Sequence, residues 1–119
     1  MRKLDFNNPF LLACADGEHI TVRVESSNTL HSVVYSLDGG NAVLPEGQAL
    51  TFLATKKPAK DQITLSLALN FSDPSGSYAV EVSGDRGGGV SKVVEQARGR
   101  SASYLAFTFL PGDPTIPPP

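Results

Sequence analysis

The 119-residue sequence predicts an all-β protein, a two-sheet antiparallel β-sandwich of seven to nine strands. Three observations carry that expectation. Apolar and polar residues alternate over several short runs, as in strands with one buried face. Turn residues separate these runs at short intervals. The length suits one domain with a single hydrophobic core.

The first run is Phe10–Ala15 in "PFLLACA", read as an opening core strand. It imitates a secretion signal, but Asp5, Asn7, Asn8 and Pro9 interrupt the apolar stretch such a signal needs. A cytoplasmic location is the corresponding expectation. Cys14, the single cysteine, excludes an intramolecular disulfide and reads as a small buried hydrophobe. "HITVRVES" sets Ile20, Val22 and Val24 against Thr21, Arg23 and Glu25. "LHSVVYSL" and "LTFLAT" are less regular strands, rich in β-branched and aromatic residues. "QITLSLALNF" sets Ile63, Leu65, Leu67 and Leu69 against Thr64, Ser66, Ala68 and Asn70, and "SYAVEVSG" sets Tyr78, Val80 and Val82 against Ala79, Glu81 and Ser83. In "GVSKVVEQARGR", Val90, Val93, Val94 and Ala97 fit helical spacing. The β-branched valines and the strands on either side favour a strand, with a bulge at Val93–Glu95 to restore alternation. "SYLAFTFL" closes the series, with Leu105 and Phe107 opposite Tyr104, Ala106 and Thr108.

Asp-Gly in "ADGE" (15–18) and "LDGG" (37–40) is a strong hairpin signal. "PEGQ" (45–48), "SDPSG" (72–76) and "GDRGGG" (84–89) supply further turns. The expected domain covers residues 1–110. Residues 111–119, "PGDPTIPPP", form a Pro-rich extended tail, because proline removes ladder donors.

Two stretches carry a family resemblance. "VVYSLDGGN" resembles a strand-turn element of bacterial immunoglobulin-like and fibronectin-like accessory domains. "DPSGSYAVEVSGDRGGG", followed by "SYLAFTF", resembles their closing strands. The resemblance implies a sandwich architecture and a non-catalytic role; the expected plan of the sandwich is immunoglobulin-like or jelly-roll. It assigns no site residue. The chain has no Trp and no Cys pair, so the immunoglobulin hallmarks are missing.

Several chemistries find no support. "GDRGGGVSK" resembles a phosphate-cradling loop only in composition. Val90 follows the second glycine and Ser91 precedes Lys92, the reverse of the order phosphate and magnesium require. His19 and His31 fall on different strands, short of a three-ligand zinc site. Asp38, Asp73 and Asp85 sit on turns without the dense spacing of a calcium loop. No Gly-x-Ser-x-Gly occurs. The expectation is therefore no catalytic residue, no cofactor and no metal. Asn70-Phe71-Ser72 matches a glycosylation acceptor, which has meaning only in a secreted chain. A net charge of −2 gives no field to attract nucleic acid, and no apolar run spans a bilayer.

Local charge is the remaining feature. Arg86, Lys92, Arg98 and Arg100 could form a basic rim at one hairpin end and contact an acidic partner. A solvated hairpin end is the plainer reading. The expected role is a non-catalytic binding or structural module acting through protein–protein contacts, with another protein or with itself. A small carbohydrate-binding domain using Tyr35, Tyr78 or Tyr104 is the alternative, and an enzyme whose site is not visible in sequence is third.

Overall fold

The computed structural model describes residues 2–5, 9–26, 30–44, 49–56, 61–73, 75–86, 90–96 and 101–112; residues 2, 3, 5, 26, 30, 31, 77 and 90–96 are described by their backbone alone. The strands are β1 (Arg2–Asp5), β2 (Phe10–Cys14), β3 (Glu18–Ser26), β4 (Leu30–Leu37), β5 (Gly40–Leu44), β6 (Ala49–Ala54), β7 (Ile63–Phe71), β8 (Ser77–Gly84), β9 (Val90–Gln96) and β10 (Ala102–Pro111). They form a six-stranded sheet, ordered β1-β2-β10-β7-β4-β5, and a four-stranded sheet, ordered β6-β3-β8-β9. The protein is the all-β, two-sheet sandwich that the alternation predicts. Setting aside the outermost β1 and β9 leaves five and three strands.

The alternation maps directly onto burial. Ile63, Leu65, Leu67 and Leu69 of β7 are buried, as are Leu105, Phe107 and Phe109 of β10 beside it. Ile20 and Val22 of β3 and Tyr78, Val80 and Val82 of β8 close the core from the other sheet. Rings fasten the two layers. Phe52 meets Phe109 edge-on at 5.3 Å, and Phe71 lies 5.3 Å from Tyr78. The Tyr78 hydroxyl donates to Ser103 Oγ at 3.3 Å, so this buried ring keeps a polar partner. Cys14 is fully buried in the same core.

Three details differ from the expectation. β2 runs parallel to β10, because strands from the two ends of the chain have no hairpin to force an antiparallel pair. β9 pairs with β8 in unbroken antiparallel register from Ser77↔Gln96 to Ser83↔Val90, so 90–96 is a strand and needs no bulge. β10 continues through the buried Pro111, one residue past the expected end of the domain; proline is tolerated at a strand end. Residues 113–119 of the tail lie outside the described residues.

The two Asp-Gly turns also differ from each other. Asp38 and Gly39 both have positive φ, 50° and 92°, the signature of a type I′ turn, and they join β4 to β5 as a true hairpin. At 15–18 only Gly17 has positive φ, 82°, and Glu18 N–H donates to Ala15 O at 3.2 Å. That is type II geometry, and it carries the chain from one sheet to the other rather than making a hairpin. "SDPSG" likewise joins β7 to β8 across the sheets, and "PEGQ" lies outside the described residues.

Candidate binding faces

Side chains that alternate with the core point outward on each sheet. On the six-stranded sheet they fall into cross-strand rows. Tyr104 of β10 stands opposite Ala68 of β7, Ala68 opposite Val34 of β4, and Val34 opposite Val43 of β5. The next row reads Ala106, Ser66, Ser36 and Asn41. None of these residues is charged. Tyr104 is 70% exposed and Val43 65%, high values for apolar residues on a sheet face. A groove of about 390 Å3 runs between the rows, walled by Tyr104, Val34, Ser36, Asn41, Ser66 and Pro9 among others. Of the three tyrosines, Tyr78 is in the core and Tyr35 packs against it, which leaves Tyr104 as the outward ring.

The four-stranded sheet presents a different face. His19, Arg23 and Glu25 of β3 are exposed, and Glu81 of β8 stands opposite both Arg23 and Lys92. Among the described side chains, Leu53 of β6 is the large exposed apolar residue here.

At one end of this sheet the start of β3 clamps the β8–β9 loop. Glu18 is fully buried, yet its carboxylate accepts from Ala15 N–H at 2.9 Å and from Arg86 N–H at 3.2 Å. A Cβ on Gly84 would collide with the Glu18 carboxylate, so glycine is required where the loop leaves β8. His19 and Asp85 bind each other in three ways. His19 N–H donates to Asp85 Oδ1 at 2.9 Å, the imidazole Nδ1 lies 3.1 Å from Oδ2, and Asp85 N–H donates to His19 O at 3.2 Å. The His19 amide holds the Asp85 carboxyl below the usual carboxylate range, against partial desolvation; the His19 ring and Arg86 add to the lowering. At the β7–β8 turn, the Ser75 hydroxyl and amide lower Asp73 in the same way, the self-bonding expected of a turn aspartate.

The sequence-selected rim residues fare as follows. Arg86 is half-buried, with its amide bound to Glu18. Lys92 lies on β9 opposite Glu81. Arg98 and Arg100 lie outside the described residues, as do Gly87–Gly89. The loop's described base, Gly84-Asp85-Arg86, is thus committed to holding β3. Sequence reasoning left Glu18 without a role and named Tyr104 only as one of three tyrosines for a sugar. The only signal for Glu18 was its place in "ADGE", where a turn carboxylate looks solvated. The signal for Tyr104 was its position opposite Leu105 in the alternation.

Among the described residues, no three of His, Cys, Asp or Glu cluster as metal ligands, and no helix is long and apolar enough to cross a membrane. Comparison of the chain with protein-family models, curated proteins and solved structures finds no match.

Proposed function

We propose that this protein is a non-catalytic binding module that acts through protein–protein contacts, with the outer face of the six-stranded sheet as its interface. The supporting observation is the uncharged double row that begins at Tyr104 and Ala106 and ends at Val43 and Asn41. The centres of protein interfaces are depleted in charge and enriched in tyrosine, and Tyr104 supplies a large anchor at low entropic cost. Ala68→Lys places a charge in the middle of the face without touching the core. Partner capture from an extract of the source cells should be lost in Ala68→Lys and kept in an Arg86→Ser/Arg98→Ser/Arg100→Ser triple variant. The opposite pattern would move the interface to the basic rim.

A second reading has one observation in its favour. Ser36, Asn41 and Ser66 line the same groove as the Tyr104 ring with neutral hydrogen-bonding groups, an arrangement suited to a neutral carbohydrate. Bound sugar would raise the melting temperature. A panel of neutral oligosaccharides that leaves it unchanged ends this reading.

A further inference from the structure

We infer that the partner seated on the six-stranded sheet is a second copy of this chain, packed face to face about a two-fold axis, with Tyr104 of each copy inserted in the groove of the other. This rests on the sheet-face reading above and names its occupant.

Three features of the face support a self-pairing. The first is charge. A two-fold axis brings the same patch of both copies together, so a charge on the axis meets its own copy and one off the axis must find an opposite partner or be desolvated unpaired. The Tyr104 and Ala106 rows carry none, whereas the four-stranded sheet would bring Arg23, Glu25 and Glu81 into a dry interface.

The second is shape. One face holds both a projection, Tyr104 at 70% exposure, and a hollow of about 390 Å3 beside it. The hollow is walled by Val34, Ser36 and Ser66, and Ala68 lies among its lining residues. Small side chains there leave room for a phenol ring. A projection and a hollow set side by side are self-complementary under a two-fold rotation.

The third is area. β2 and β5 run for five residues each, about 17 Å, and β4, β7 and β10 for eight to ten, about 27–34 Å, so with strands about 4.8 Å apart the five present roughly 600 Å2 of outward face. Two such faces bury at most about 1,200 Å2 in total, the lower edge of the range for stable specific pairs, which suits a dimer that dissociates on dilution. A two-layer sandwich then becomes a four-layer stack.

The test combines sedimentation velocity with a photocrosslinker, p-benzoylphenylalanine, at position 106. The purified wild type should sediment as a dimer that dissociates on dilution, and the crosslinked product should have twice the chain mass. Tyr104→Ala should raise the dimer dissociation constant by about 30-fold, as for an anchor residue. Tyr104→Phe should retain the dimer, and Ala68→Lys should be monomeric with an unchanged circular dichroism spectrum. A dimer that survives Ala68→Lys would show that another surface pairs, and would overturn the proposal. So would a wild type that stays monomeric. If that monomer crosslinks to a different protein in source-cell extract, only the self-pairing falls. If it crosslinks to nothing, the sheet-face reading falls with it.

Discussion

The outer face of the six-stranded sheet carries Tyr104, Ala68, Val34 and Val43 in one row, whereas that of the four-stranded sheet carries His19, Arg23, Glu25 and Glu81. Both faces belong to strands whose inner residues meet the same core demands. Folding needs the inward residues to be apolar and is nearly indifferent to the outward ones. Charged outward residues in general favour solubility and disfavour sheet-to-sheet association. The neutral face forgoes that protection over a broad area. It also presents Tyr104 and Val43 to water, 70% and 65% exposed in the same cross-strand row. Under the proposed function, the contrast separates residues that folding requires from residues that a contact would use.

The predictions test that separation, beginning with the shared core. Phe109 backs the neutral face and meets Phe52 of the other sheet, so Phe109→Ala should cost about 3–5 kcal/mol in denaturant unfolding. A loss below about 1 kcal/mol would mean that the sheets are not joined as described. On the charged side, Glu18→Ala leaves the Ala15 and Arg86 amides without their acceptor at a buried site, and should cost about 2–4 kcal/mol. Glu18→Gln, which retains an acceptor oxygen, should lose distinctly less. If the two variants unfolded alike, the carboxylate would not be the clamp.

Ala68→Lys should change unfolding free energy by no more than about 0.5 kcal/mol while abolishing association. This variant distinguishes the faces most sharply, because equal losses of stability and association would make Ala68 a folding residue. The smallest effect belongs to Asp85. Its folded pKa is lowered, so its contribution is fully present above the unfolded carboxylate value of about 3.9 and is lost as pH falls through the folded pKa. Asp85→Asn should therefore be slightly less stable than wild type at pH 7 and indistinguishable from it in strong acid. A difference that persisted in strong acid would have a source other than the carboxylate charge.

Much of the fold was legible because period-two alternation is a direct image of burial. Leu65, Leu67 and Leu69, or Leu105 and Phe107, declare both strand and inner face. Helical spacing at Val90, Val93 and Val94 was overridden by pairing with β8, a tertiary effect absent from a local window. Asp-Gly declared two turns but not their destinations. A positive φ at Asp38 makes a hairpin, and its absence at Asp16 makes a sheet crossing, and nothing local sets that sign. β5 escaped notice because "GNAVL" buries little beyond Leu44.

The candidate face was less legible for a related reason. Its residues are small and neutral, and each is unremarkable within its own strand. Only the register brings Tyr104, Ala68, Val34 and Val43 into one row, and register between β10, β7, β4 and β5 is not encoded in any one of them. The basic rim, by contrast, was easy to see because four cations lie within one short stretch. Its described members, Arg86 and Lys92, sit beside carboxylate-bearing strands, with the Arg86 amide on Glu18 and Lys92 opposite Glu81.

The most direct test of the central claim is a dilution series followed by amide NMR. On concentration, shifts should gather at residues 34, 36, 41, 43, 66, 68, 104 and 106, with residues 19, 23, 25 and 81 unmoved. Shifts confined to the second group, or none in either, would contradict the assignment of contact to the neutral face.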